Sequence, residues 1–264
     1  MQTDLEGRSA VVLGGTKGIG RAAVIKLAQS GASVVIQGRD ARAAQELIAE
    51  LKDYRGMRLF VESDLLSYEG IDTAVRTAKE AFERVDIVVA SGGPKEPRPK
   101  LFVDTSPEES IATIESRLMP RLHALHAAVR YMGDQGYGKV ILLTTDAARI
   151  PTPAESMIGA AGAVVMSLTR SLAQELAGLG IRVNAIATTL TTGTPGHDTF
   201  LKAQASGSQE VIVRAFNKVA ERVKFRMNSA EDLAEYVLFL ASPESDQISG
   251  STISINGGLS FPSY

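Results

Sequence analysis

Ser9-Ala10-Val11-Val12-Leu13-Gly14-Gly15-Thr16-Lys17-Gly18-Ile19-Gly20 is a short apolar run that breaks into a glycine-rich turn. The next stretch, Arg21–Ser30, carries Val24, Leu27 and Ala28 at helical spacing, with Gly31 placed to end it. Glycines between a strand and a helix permit a tight turn. They also let backbone amides approach an anion at the positive amino end of the helix. Such a turn alone serves equally well as a plain strand–helix connection, so its surroundings must decide between the two.

The alternation continues to the carboxyl end. Ser33–Ile36, Arg58–Glu62, Asp86–Ala90, Lys139–Thr144, Ile181–Ile186 and Thr252–Ile255 read as the second to seventh strands. Asp40 is placed to cap a helix running to Lys52. Leu118, Leu122, Leu125, Val129 and Met132 form one apolar stripe, and Val165, Leu168, Leu172 and Leu176 another, predicting two long helices around the fifth strand. Repeated strand–helix units predict a single α/β domain over residues 1–264, with a parallel sheet of about seven strands. Thr188–Asn228 fits no strand, and its glycines and proline precede a helical-looking Glu210–Val223. We read residues 188–228 as a lid or substrate loop, and Pro94–Pro99 as an extended loop.

The bulk properties exclude several classes. A formal charge of −2 over 264 residues gives no electrostatic reason to expect nucleic acid or an anionic membrane surface as partner. The absence of cysteine removes disulfides, thiolate metal sites and cysteine nucleophiles. His123 and His126 lack a matching carboxylate and read as a polar helix face, so no metal is expected. The first residues, Met1–Glu6, are acidic and polar rather than signal-like. No apolar run reaches the roughly 18 residues of a membrane span. A cytoplasmic, soluble location is the expectation.

The spacing Gly14-x-x-x-Gly18-x-Gly20 resembles that of the short-chain dehydrogenase/reductase family, and the resemblance runs the length of the chain. Asp64 matches its acidic residue near the adenine. Gly92-Gly93 matches the end of its Asn-Asn-Ala-Gly motif, with Ala90 and Ser91 in place of the asparagines. Gly180–Ile186 is similar to its sixth-strand motif, and Ile255-Asn256-Gly257-Gly258 to its carboxyl-terminal Asp-Gly-Gly. The resemblance implies a Rossmann-type doubly wound sheet. It also implies a dinucleotide site built from Gly14, Thr16, Lys17, Gly18, Ile19, Gly20, Arg39, Asp64, Leu65, Ser91 and Gly92. An NAD site places a carboxylate after the second strand, where this chain has Gly38 followed by Arg39. With Lys17, Arg39 suits a ribose 2′-phosphate, which favours NADP.

At the chemical end the resemblance implies losses. The family's tyrosine, which delivers the proton, falls at Ile158, and the lysine that tunes it falls at Gly162. Its supporting asparagine falls approximately at Arg117, and the Pro-Gly after the sixth strand at Thr188-Thr189. Only Thr145, in place of the family's serine, keeps a catalytic role as an oxygen-contacting hydroxyl. Asp146, Arg149, Glu155, Ser156 and His197 are candidates to substitute, each with a bland alternative as helix-start, loop or surface group. A missing general acid–base group costs about 10²–10⁴ in rate.

Three readings follow. The first is a catalytically impaired subunit with a retained NADP pocket, in a homo-oligomer or beside an active paralogue. The family assembles through the helices corresponding to about 107–132 and 155–177. The second is an active NADP-dependent oxidoreductase that reduces a ketone such as a 3-oxoacyl thioester through a non-standard site. The Gly92-Gly93-Pro94 loop resembles a 3-oxoacyl-reductase-like subgroup with an imperfect set of catalytic residues. The third, a nucleotide- or metabolite-sensing protein that moves the 188–228 lid, has no positive signal behind it.

Overall fold

The computed structural model describes residues 3–94, 96–207 and 211–261. Met1, Gln2, Lys95 and Glu210, on which parts of the reading above fall, lie outside these residues. The strands are β1 (Ser9–Leu13), β2 (Ser33–Gly38), β3 (Arg58–Glu62), β4 (Ile87–Ala90), β5 (Gly138–Thr145), β6 (Ile181–Thr188) and β7 (Thr252–Ile255). The helices are α1 (Gly18–Gln29), α2 (Ala41–Glu50), α3 (Tyr68–Phe82), α4 (Pro107–Met132), α5 (Ser156–Glu175), α6 (Pro195–Ala205), α7 (Val211–Arg222) and α8 (Ala230–Ala241).

All seven strands are parallel, in the order β3-β2-β1-β4-β5-β6-β7. Continuous apolar runs form them because both faces are covered. Val11, Leu13, Val35, Val88, Val140 and Val183 turn to one core with residues of α3, α4 and α5. The alternating Ala10, Val12, Val34, Ile36, Val89 and Ile141 turn to the other, with α1, α2 and α8. Each fully buried Val, Leu or Ile contributes about 1.5–3 kcal/mol, and a one-residue register slip would exchange the two sets between cores packed by different helices. The direction of the sheet reverses between β1 and β4, which opens a crevice at their carboxyl ends.

Helix starts follow their caps: Asp40 accepts from the Ala43 amide, Ser67 from Gly70, Ser106 from Glu109, and Ser229 from Asp232. The predicted second strand extends two residues further than its apolar run, because Gln37 and Gly38 continue the β2–β3 ladder. Among the described residues, the 188–228 stretch holds two helices. One is the predicted one, here Val211–Arg222. The other, Pro195–Ala205, is capped by Thr194, which accepts from the His197 amide at 3.3 Å. Phe200 of α6 is buried against Val213 and Phe216 of α7, its ring edge-on to Phe216 at 5.6 Å. α5 alone among the described helices is long and apolar enough to cross a bilayer, yet it lies against α4, β5 and β6.

Candidate active site

The glycine turn between β1 and α1 is held by close approaches that admit no side chain. At Gly14, φ is +76° and an added Cβ would sit 2.8 Å from the Gly92 nitrogen; at Gly20 it would sit 2.5 Å from Ser91 Oγ. Gly92 in turn abuts Leu65, where a Cβ would lie 2.5 Å from Leu65 Cδ1 and 2.9 Å from Gly14 Cα. Ser91 Oγ donates to the Leu13 carbonyl at 2.9 Å, tying the end of β4 to the end of β1. Gln37, which sequence reasoning missed, is fully buried beneath the turn. Its Oε1 accepts from the Gly14 amide at 3.0 Å, and its Nε2 donates to the Ser63 carbonyl and hydroxyl at 2.7 and 2.9 Å. Those three bonds offset the cost of an amide among aliphatic neighbours. One polar residue ending an apolar strand was the available signal.

Lys17 occupies the cap position of α1 and makes no side-chain cap bond, so the first-turn amides of α1 stay open to an anion. Ile19, expected in the cofactor set, turns its side chain to Ala22, Ala230 and Ala234 at the α1–α8 contact, which leaves its backbone for a nucleotide. Thr16 is buried over Gly38, where a Cβ would stand 2.8 Å from Thr16 Cγ2. The space beside Gly38 is thus taken up by the threonine side chain. Lys17 pairs with Asp40 at 2.6 Å and Arg39 with Asp64 at 3.7 Å, all four side chains well exposed. Asp64 Oδ1 also accepts from the Leu66 amide at 2.9 Å. Exposed pairs of this kind hold by about 0–1 kcal/mol and exchange readily for a phosphate.

The amino end of α6 stands over the turn: a Cβ at Gly18 would meet Pro195 and Thr194 at 3.3 Å. Beneath it Asn228 donates to Thr188 Oγ1 at 2.9 Å and Thr191 Oγ1 at 2.7 Å. This bridges β6 to the start of α8.

At the chemical end, Thr145 closes β5, and its Oγ1 accepts from the Ala147 amide at 3.1 Å. Its hydroxyl proton remains free to donate. Around Gly162 the structure is closely packed. A Cβ at Gly162 would stand 2.8 Å from Thr145 Cγ2, 3.1 Å from Ala148 Cβ and 3.2 Å from Thr144 Oγ1. Ile158 lines a cleft with Ala154, Met157, Thr113, Phe102 and Pro99.

Charge arrives instead from α4. Arg117 donates to the Pro94 carbonyl and, at 3.0 Å, to that of Pro97. Arg121 donates to the carbonyls of Leu143 at 3.0 Å and Gly92 at 2.7 Å, joining the ends of β5 and β4. Both guanidiniums lie under Gly93, 3.8 Å from the position of a Cβ there. Arg121 has no carboxylate partner among the described residues; burial, then the neighbouring Arg117, pulls it down to about 10, still cationic at neutral pH. Glu155 is pushed up to about 7 by burial, with the Arg117 charge opposing.

Of the other candidates to replace the tyrosine, Asp146 is buried and accepts from Asn256 Nδ2, and Arg149 donates to Ser254 Oγ at 2.5 Å. Both are committed to the β7 end. Ser156 is exposed, and His197 stands on α6 with its ring 6.2 Å from that of Phe200. His123 is held below its ordinary range by burial and lies edge-on to Tyr68 at 5.7 Å. No group of metal-ligating side chains occurs among the described residues.

A family model described as Enoyl-(Acyl carrier protein) reductase matches residues 14–260. The chain is 30% identical to the 3-oxoacyl-[acyl-carrier-protein] reductase FabG of Haemophilus influenzae, over 97% of this chain and 99% of that protein. It is 29% identical to the uncharacterized oxidoreductase YvaG of Bacillus subtilis, over 98% of each. Among solved structures, a 7α-hydroxysteroid dehydrogenase complexed with NADH and 7-oxo glycochenodeoxycholic acid superposes with a TM-score of 0.85 at 25% identity, over 97% of this chain and 96% of that one. A seven-stranded parallel sheet, a glycine turn interlocked with the end of β4 and these full-length likenesses agree: the chain belongs to the short-chain dehydrogenase/reductase family.

Proposed function

We propose that the chain is a nicotinamide-dependent oxidoreductase that reduces a ketone, such as a 3-oxoacyl thioester, with NADP preferred over NAD. The observation that carries this is the preserved cofactor end. Gly14, Gly20, Ser91 and Gly92 interlock, and the first turn of α1 is left uncapped beside Lys17. Its relatives include named oxidoreductases, which favours this reading over that of a catalytically impaired subunit.

In this reading the amides of Gly18, Ile19 and Gly20 receive the pyrophosphate, Arg39 and Lys17 the 2′-phosphate, and Asp64 and Leu65 the adenine end. A bound nicotinamide supplies the hydride. Thr145 donates its hydroxyl proton in a hydrogen bond to the substrate oxygen, while Ile158 and Met157 exclude water from the cleft. Residues 188–228 act as a lid, since Thr194 and Pro195 already reach Gly18.

Assembly is part of the proposal. α5 exposes Ala160, Ala163 and Val164, and α4 exposes Ile111 and Ala112, small and apolar surfaces suited to a second copy or an active paralogue. A soluble, cytoplasmic protein is proposed with it. The test is titration of the purified protein with NADPH and NADH, then a turnover panel of 3-oxoacyl thioesters and simple ketones. Tighter NADPH binding with turnover is the expected result. Binding without any turnover selects the impaired subunit, and no binding of either nucleotide removes both.

A further inference from the structure

We propose that residues 97–102, pinned by Arg117, form the specificity-determining wall of the site, and that this wall selects ketones carrying a slim, uncharged apolar chain. The inference rests on the oxidoreductase reading above and deepens it. The chain that leaves β4 first interlocks with the cofactor turn, Gly92 against Gly14. Further along, its Pro99 and Phe102 line the cleft together with Met157 and Ile158 of α5.

This stretch is held from outside. Pro94, Pro97 and Pro99 have no backbone N–H, so the stretch has few amides with which to fasten itself. Arg117 on α4 does the fastening. Its Nη1 donates to the Pro94 carbonyl and its Nη2 to the Pro97 carbonyl at 3.0 Å. Two bonds from one planar guanidinium fix orientation as well as position. One turn along α4, Arg121 ties the Gly92 carbonyl at 2.7 Å to that of Leu143 on β5 at 3.0 Å. Consecutive turns of one helix thus hold the root of the wall and its middle, and the wall is set before any substrate arrives.

The cleft lies beside the chemistry. Ile158 stands one helical turn ahead of Gly162 on the same face of α5, about 6 Å along the axis. A Cβ at Gly162 would stand 2.8 Å from Thr145 Cγ2. A ketone whose oxygen is held by the Thr145 hydroxyl therefore has room for a chain past Ile158 and along Phe102.

The wall is apolar and electrically balanced. Arg98 and Lys100 also line the cleft, but they pair with Glu96 at 3.0 Å and Glu109 at 2.6 Å, which leaves neither cation to claim an anionic chain. Phe102 is 64% exposed, a large ring in water at the edge of the cleft, and a chain laid against it would bury that surface. The cleft is narrow, which suits an unbranched chain. Ala154, buried in its lining, holds φ at +69°, a conformation disfavoured for a residue with a Cβ; strain of this kind gathers at ligand sites.

The test compares wild type, Phe102→Ala and Arg117→Gln on unbranched methyl ketones lengthened one methylene at a time, with NADPH in excess. Wild-type kcat/KM should rise about fourfold per methylene until the cleft is filled, the gain that burying one methylene supplies. In both variants the rise should shrink to about twofold or less per methylene, so that the loss sits in KM and grows with chain length. Arg117→Lys, whose ammonium cannot span both carbonyls as the fork does, should fall between wild type and Arg117→Gln. NADPH affinity by fluorescence titration should stay within about twofold throughout. Phe102 is exposed, so its variant carries the test even where Arg117→Gln fails to fold. Losses that are equal at every chain length, no loss at all, or a wild-type preference for chains tipped with a carboxylate overturn the inference and leave the oxidoreductase reading standing. Nucleotide binding with no turnover of any ketone overturns both.

Discussion

Replacing Glu155 by glutamine should change the pH dependence of stability in a defined window. The glutamate carboxyl moves from an ordinary 4.5 in the unfolded chain to about 7 in the fold, chiefly because burial penalises its charge. A raised acid means that the folded state holds the proton more tightly, so its contribution is fully present below pH ~4.5. It is lost as pH rises toward ~7. At about 1.4 kcal/mol per pH unit the window spans about 3 kcal/mol, trimmed toward 2 where water reaches the edge of the site. Glutamine keeps the shape and never ionises, so Glu155→Gln should match wild type near pH 4.5 and exceed it by about 2–3 kcal/mol at pH 8. Urea unfolding of both proteins at the two pH values measures this, with the difference cancelling every other titrating group. A stability gap that is the same at both pH values would refute the half-buried, proton-holding Glu155 and with it the account of its environment.

Four further outcomes are expected. Gly162→Lys, alone or with Ile158→Tyr, should lower stability by about 1–3 kcal/mol in thermal melts, since its Cβ would intrude within 2.8 Å of Thr145 Cγ2; turnover should not rise above wild type. Gly92→Ala should cost about 1–3 kcal/mol and weaken nucleotide binding more than tenfold, because its Cβ meets Leu65 Cδ1 at 2.5 Å. Lys17→Ala and Arg39→Ala should each raise the NADPH Kd about tenfold and leave that of NADH unchanged, as isothermal titration would record. Thr145→Ala should lower kcat about tenfold or more on the ketone panel, with Thr145→Ser retaining most of the activity.

The sheet was legible because it is buried on both faces. Ser9–Leu13 reads as a strand from its apolar run and the half-buried edge strand Thr252–Ile255 from its alternation, and all seven strands stand where the pattern predicted them. The glycine turn was legible for the same kind of reason: only glycine survives the contact between Gly14 and Gly92. What was not legible depends on side chains meeting from distant elements. Gln37 reaching back to the Gly14 amide leaves no mark beyond one polar residue at a strand end. α6 was hidden because Gly193, Pro195 and Gly196 read as loop, whereas Pro195 begins a helix that Thr194 caps. The electrostatic influence of Arg117 on Glu155 joins residues 38 positions apart, one on α4 and one just before α5, and no local spacing announces it.

If Ile158 and Gly162 replace the family's tyrosine and lysine, as the resemblance implies, the replacement is not an empty copy of that site. An empty copy would leave a cavity where the lysine stem had been, and such a cavity costs stability. Here Thr145, Ala148 and Thr144 close on Gly162, while Gly159 lets α5 approach the Ala147 carbonyl. Cations stand on α4, where Arg121 spans the ends of β4 and β5 and Arg117 holds the loop beyond β4. A buried guanidinium without a carboxylate is expensive to keep. Arg121 is such a group: it has no carboxylate partner among the described residues, and the Leu143 and Gly92 carbonyls alone receive it. If the crevice takes up negative charge during turnover, whether from a cofactor phosphate, a substrate oxygen or ionised Glu155, that cost becomes the field that stabilises it. Arg117 and Arg121 beside the half-buried Glu155 favour the oxidoreductase proposed above over a purely structural domain.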